Sequence, residues 1–173
     1  MLFVLTGPES TGKTAITYAL ARHFGVPAVP EIARDYLAES TGYLPCDLLR
    51  IAQLQADAES LVVDSELAFG DTDQQVLYVW WQERFGAAPR VLIELYRHQS
   101  WRRHYLLCAP DLPWETDPLR ENPDDRDRLF SIYRNDLQAR GLGYDVISGS
   151  GDERIEMALI CVRAQLGSLR HSP

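Results

Sequence analysis

GPESTGKT, residues 7–14, is the stretch on which the reading of this chain turns. Gly7 and Gly12 bracket four residues, Lys13 and Thr14 follow at once, and the apolar run Leu2-Phe3-Val4-Leu5 leads into it. Downstream, Ile16, Leu20 and Phe24 recur at helical spacing until Gly25 and Pro27 end the pattern. A G-x-x-x-x-G-K-[ST] turn between a strand and a helix is built to wrap an anion. Its glycines let the backbone curl so that successive N–H groups point inward, and the helix behind adds the positive end of its dipole. Gly7, Glu9, Ser10, Thr11, Gly12, Lys13 and Thr14 therefore form a candidate nucleotide-phosphate cradle. Lys13 would reach the β- and γ-phosphates and the Thr14 hydroxyl would take a place on Mg²⁺, making ATP and Mg²⁺ the expected cofactors.

Basic residue usage supports this independently. Lys13 is the only lysine among seventeen basic residues; the other sixteen are arginine. The exception stands where a compact ammonium on a flexible stem is needed in place of a planar fork. The single lysine also rules out the N-K-x-D base-reading segment of GTPases.

Composition bounds the rest. A chain of 173 residues that is 46% hydrophobic is long enough for one buried core, and a single domain over residues 1–173 is expected. A net charge of −8 argues against nucleic acid and anionic membranes as partners. No run approaches the ~18 apolar residues of a membrane span and no leader pattern is present, so a cytoplasmic protein is the default expectation. Cys46, Cys108 and Cys161 lack metal-ligand spacing and read as reduced thiols.

Strand-like and helix-like segments alternate. Strands are expected at residues 1–5, 26–29, 67–69, 105–108 and 144–147. Helices are expected at 13–24, 32–39, 47–64, 75–85, 124–140 and 152–165. Strands separated by helices imply an α/β fold in three layers, a parallel sheet covered on both faces, with ligands at the carboxyl ends of the strands.

Acidic residues sit at those ends. Asp71, in Gly70-Asp71-Thr72-Asp73, follows an apolar strand, where a carboxylate can hold a metal through water or accept a hydroxyl proton; the same residues also form ordinary turns. Glu31 follows the second strand with Arg34 one helical turn on, a site or an exposed ion pair. Residues 111–128, with three prolines and Arg120, Arg126 and Arg128, suit either a lid over a triphosphate or a solvated loop. Of Trp80 and Trp81, one is expected in the core and the other against a flat ring. With a phosphate loop and no length for a second helical subdomain, a small kinase is the leading class.

A resemblance then becomes specific. GPESTGKT, PEIARDYL, IAQLQADAE, DTD with Trp80 and Phe85-Gly86, YLLCAPDLPWETDPLRENPDDR and YDVISGSGDER together resemble the ribosylnicotinamide kinase domain of NadR-type proteins and their AAA-like relatives, over residues 2–158. The resemblance implies a P-loop kinase fold with a five-stranded parallel sheet. It also implies transfer of the ATP γ-phosphoryl group to the 5'-hydroxyl of nicotinamide riboside. Under it, Lys13, Glu31, Asp71, Arg120 and Arg126 would be catalytic, and Thr14 and Asp71 would hold the metal. Glu31, Arg34, Asp71, Asp73 and Trp80 would meet the acceptor, and Gly149 and Asp152, in ISGSGDER, would border the adenine. The alternatives are a kinase for another nucleoside or nucleotide, or a regulatory ATP-binding module.

Overall fold

The computed structural model describes residues 1–99, 102–116 and 123–170. Five strands, β1 (Leu2–Thr6), β2 (Ala28–Val29), β3 (Ala68–Asp71), β4 (Arg103–Cys108) and β5 (Tyr144–Ile147), form one sheet in the order β2-β3-β1-β4-β5. Every pairing is parallel. β1 is central, and its neighbours lie on opposite sides of the chain's reversal, so a crevice opens at the carboxyl ends of β1, β3 and β4. Register brings Leu5 opposite both Asp71 and Leu106, which places the phosphate loop and Asp71 side by side.

The strands are apolar along their length because both faces are covered. Phe3, Leu5, Phe69, Leu106 and Ile147 face helices α1 (Lys13–Phe24) and α7 (Gly151–Arg170), which contribute Ile16, Leu20, Ala158 and Val162. Leu2, Val4, Ala68, Tyr105 and Leu107 face α4 (Gln74–Phe85) and α6 (Arg126–Ala139) through Val79, Leu129, Tyr133 and Leu137. A third apolar cluster lies off the sheet, where α2 (Ile32–Leu37), α3 (Pro45–Ser60) and α5 (Arg90–Arg97) meet α4 around Leu37, Ile51, Leu77, Trp81 and Leu92.

The expected alternation holds, with two local differences. The helix α5, eight residues behind a Pro89 N-cap, falls in a region read as connection, although Leu92 and Tyr96 stand four apart on its buried face. α3 begins at Pro45, which occupies the first turn where its missing N–H leaves nothing unpaired. Among the described residues no helix is long and apolar enough to cross a membrane.

Candidate active site

The loop between β1 and α1 closes under two glycine constraints. Gly7 has φ +123°, and a Cβ there would stand 2.8 Å from the carbonyl oxygen of Cys108, so β4 and the loop approach as closely as only glycine allows. Gly12 caps α1 with φ +76°, offers no side chain to its N–H groups, and no acidic residue follows in the first turn. The positive end of α1 thus faces outward. Ser10 takes φ +53°, a conformation rare for a residue with a side chain. Thr11 closes the curl by donating its hydroxyl to the Pro8 carbonyl at 2.8 Å. The Lys13 ammonium bridges the Gly7 and Pro8 carbonyls at 3.0 and 2.7 Å, which tethers it across the loop it belongs to.

This loop forms one wall of a cavity of about 500 Å³. The opposite wall brings Glu31, Arg34, Trp80, Glu83 and Tyr133 to the same space, with Leu112, Pro113 and Glu115 across the top. Glu31, the N-cap residue of α2, pairs with Arg34 at 3.5 Å. Trp80 is half-buried and donates its indole N–H to the Tyr43 hydroxyl at 2.7 Å, with the two rings edge to face at 4.8 Å. Trp81 turns the other way, into the third cluster, and donates to the Ala87 carbonyl. The division of roles between the two tryptophans is therefore Trp80 at the cavity and Trp81 in the core.

Asp71 lies directly behind Thr14, whose hydroxyl donates to its carboxylate. The residue is 1% exposed, and its Oδ1 has no hydrogen-bond partner. Burial, with Glu31 adding repulsion and the Thr14 bond and Lys13 opposing, pushes its carboxyl up to about 6. A buried carboxylate oxygen kept without a partner beside the phosphate loop fits a role for Asp71 toward a cation.

Asp73 corrects the sequence reading. It was expected at the acceptor, yet its side chain points into the interior. Its Oδ1 accepts from the Gln75 amide and caps α4, and its Oδ2 accepts from the Tyr105 hydroxyl at 2.8 Å and from Arg103 at 3.3 Å. The cause is Thr72, whose φ of +69° turns the chain between the two acids. Gly149 and Asp152 also lie off the cavity's lining, in exposed positions; the Gly149 amide donates to Asp111 at 2.7 Å.

The segment after β4 reaches over the loop. Ser10 exchanges hydrogen bonds with the Glu115 backbone, and Arg126 donates to the carbonyls of Ser10 and Leu112 at 3.3 and 2.9 Å while its guanidinium lies 5.9 Å from the Trp114 ring. Arg128 spans instead to Glu83 on α4. Arg120 lies outside the described residues.

One residue of the site was not singled out from sequence. Arg154 of α7 is 2% exposed and ties the loop to the sheet from below, donating to the carbonyls of Thr11, Ala109 and Gly149 and pairing with Asp111. A signal did exist: Arg154, Ala158 and Val162 recur at intervals of four, so an arginine stands in the buried stripe of a helix, where a charge needs several partners.

Comparison with known proteins follows the same lines. No curated protein matches this chain. Its structure is similar to that of NadR protein in complex with NR, with a TM-score of 0.73 and 21% identity over 94% of this chain and 50% of the other. NadR protein in complex with NAD and AMP-PNP is similar at a TM-score of 0.71 and 19% identity, over 96% and 49%. The chain thus spans about half the length of these NadR chains. Deoxyadenosine kinase from M. mycoides, with products dcmp and a flexible dcdp bound, is similar over 95% of this chain and 100% of its own, with a TM-score of 0.64 and 10% identity. The fold is accordingly that of the P-loop kinases. A family model described as AAA domain matches residues 2–154, and the chain belongs to that family.

Proposed function

We propose that the protein is an ATP-dependent small-molecule kinase that phosphorylates the 5'-hydroxyl of nicotinamide riboside. The observation that carries this reading is the shared cavity, lined by the phosphate loop and by Trp80, Glu31 and Glu83. A phosphoryl donor and a hydroxyl acceptor need such a common space, because transfer depends on in-line positioning more than on covalent chemistry.

The backbone amides of Gly7 to Thr14 and the α1 dipole bind the triphosphate. Lys13 exchanges its loop carbonyls for phosphate oxygens, which places its charge where the transition state spreads its own. Thr14 and Asp71 would hold Mg²⁺, which when bound supplies charge neutralisation between the β- and γ-phosphates. Among the described residues no three His, Cys, Asp or Glu side chains gather as an all-protein cage. The remaining ligands would accordingly be phosphate oxygens and water. Glu31 lines the cavity whereas Asp71 lies beneath it, which supports Glu31 for the acceptor hydroxyl and Asp71 for the metal. Trp80 stacks the flat cationic pyridinium of the acceptor, worth ~0.5–2 kcal/mol, and Glu83 stands beside it. Arg126, which reaches over the loop, would carry its guanidinium group toward the phosphates. Gly149 and Asp152 border the adenine on the open side of the loop.

A panel of nucleosides with ATP and Mg²⁺, read by mass, tests this. Nicotinamide riboside should gain one phosphoryl group in step with ADP formation. Preferential phosphorylation of a neutral nucleoside would replace the acceptor, and ADP matched only by free phosphate would overturn the kinase.

A further inference from the structure

The head of α4 carries two adjacent glutamines, both buried, that hold different neighbours. Gln74 donates its side-chain amide to the Ala52 carbonyl at 2.8 Å, a link between α4 and α3. Gln75 reaches the other way. Its Oε1 accepts from the hydroxyl of Thr6, the last residue of β1, at 2.7 Å. Its Nε2 donates to the Tyr133 carbonyl at 3.2 Å and to the Asp136 carboxylate at 2.9 Å, two positions about one turn apart on α6. The amide can face only this way, because the reverse orientation would set its oxygen against a carbonyl and a carboxylate. Asp136 is itself steadied from α5, where the Tyr96 hydroxyl donates to the same carboxylate oxygen.

Thr6 and Gln75 are both 0% exposed, so these bonds form without competition from water. The groups they join belong to opposite sides of the phosphate-loop cavity. Thr6 immediately precedes Gly7, where the loop begins. Tyr133 lines the cavity across from that loop, and Arg126, at the start of α6, reaches over the loop's top. Leu129, Tyr133 and Leu137 press α6 against the sheet, but apolar contact is attraction without a preferred direction. Hydrogen bonds are directional. Those made by Gln75 therefore fix where α6 stands relative to the end of β1, and with it the separation between the loop and the wall that Tyr133 helps to form.

We propose that Gln75 is a positioning residue for phosphoryl transfer, joining the root of the phosphate loop to α6 so that the donor and acceptor sides of the cavity are held in register. It rests on the kinase reading above. Gln75 does not itself line the cavity, so it acts through Thr6 and Tyr133. Transfer in line is sensitive to displacements of about 1 Å, which cost roughly 10²-fold even when they originate away from the reacting atoms. Each substrate bound alone meets only its own wall and is indifferent to the separation between the two.

Gln75→Met keeps the length of the side chain and removes its hydrogen bonds, and Thr6→Val cuts the same link at its other end with a side chain of the same shape. The rate of a single turnover with ATP, Mg²⁺ and nicotinamide riboside, all saturating, is measured beside separate titrations of ATP and of nicotinamide riboside. Each variant should transfer roughly ten-fold or more slowly, with both Kd values within about two-fold of wild type. The double variant should be no slower than the slower single one, because one link can be cut only once. Thr6→Val carries the test if Gln75→Met does not fold. A glutamine that only supports the fold would lower the melting temperature and leave the transfer rate of the folded protein unchanged, and that result overturns the proposal. Losses that add in the double variant overturn it too, as does an ATP affinity that falls in step with the rate, the mark of a damaged loop. Wild-type protein that transfers nothing to nicotinamide riboside overturns the function proposed above and this role with it, a failure told apart by its needing no substitution.

Discussion

Two aspartates two residues apart, Asp71 and Asp73, are both almost fully buried and yet are treated in opposite ways. Asp73 has hydrogen bonds to both oxygens, from the Gln75 amide, the Tyr105 hydroxyl and Arg103, and it caps the helix it begins. Asp71 has the Thr14 hydroxyl on its carboxylate and an Oδ1 with nothing. The first arrangement is that of a group used to hold the fold. The second withholds satisfaction from a charge, which a fold tolerates where a ligand completes the set. The difference is made by one residue, Thr72, whose left-handed backbone sends the two side chains to different sides of the sheet end.

The largest effect expected is on turnover. Asp71→Asn keeps the shape and removes the charge, and phosphoryl transfer should fall by roughly 10²-fold or more, the scale of losing a metal-supporting or proton-accepting carboxylate. ATP binding, carried by the loop amides, should change little. Steady-state kinetics with a nucleotide-binding titration check both parts, and near wild-type turnover would break the contrast.

Next in size is the stability of the Asp73 position. Asp73→Ala leaves Arg103 short of one partner and Tyr105 without its acceptor inside the protein, and removes the α4 cap. Loss of a partner from a buried pair of this kind costs about 3–5 kcal/mol. Denaturant unfolding should report it as a lower midpoint, with the residual folded protein still binding ATP. An unperturbed midpoint would return Asp73 to the list of acceptor contacts.

A smaller and more selective effect is expected at Trp80. Trp80→Ala should raise the acceptor KM roughly ten-fold while leaving the ATP KM nearly unchanged, the pattern of a lost acceptor contact. The melting temperature distinguishes this from a core truncation, which would cost about 3–5 kcal/mol. Trp81→Ala, by its place in the third cluster, should show that larger loss.

These contrasts also mark what could be read from sequence. The helix α1 was legible to the residue, 13–24, because Gly12 and Gly25 flank it with left-handed backbone that few other residues adopt. The parallel sheet was legible because its strands are apolar on both faces. Asp73 was misread because strand alternation places residues 71 and 73 on one side, and nothing in the letters announces that Thr72 breaks the alternation. Trp80 and Trp81 could not be told apart because α4 is covered on several sides: Val79 meets the sheet and α6, Leu77 and Trp81 meet α3 and α5, and Trp80 meets the cavity. A helix contacted on several sides carries no single face in its periodicity. Arg154 was legible in principle, as a charge in a buried stripe.

The central claim is that the Asp71 carboxyl is held against the stability of the fold for the sake of its function. Its folded pKa, about 6, lies above its ordinary value of 3.8, so the native state binds this proton more tightly than the unfolded chain. Stability from this group is therefore lost as pH rises from about 4 to about 6, and the whole penalty, roughly 1–3 kcal/mol, is present above that. Asp71→Asn removes the ionisation and should melt higher than wild type at pH 8, by about 2–4 °C for each kcal/mol recovered in a chain of this size. The advantage should shrink on acidification through pH 6 and be lost near pH 4. A melting temperature at pH 8 equal to or below that of wild type would contradict the account, because Asp71 would then be holding the fold together as Asp73 does.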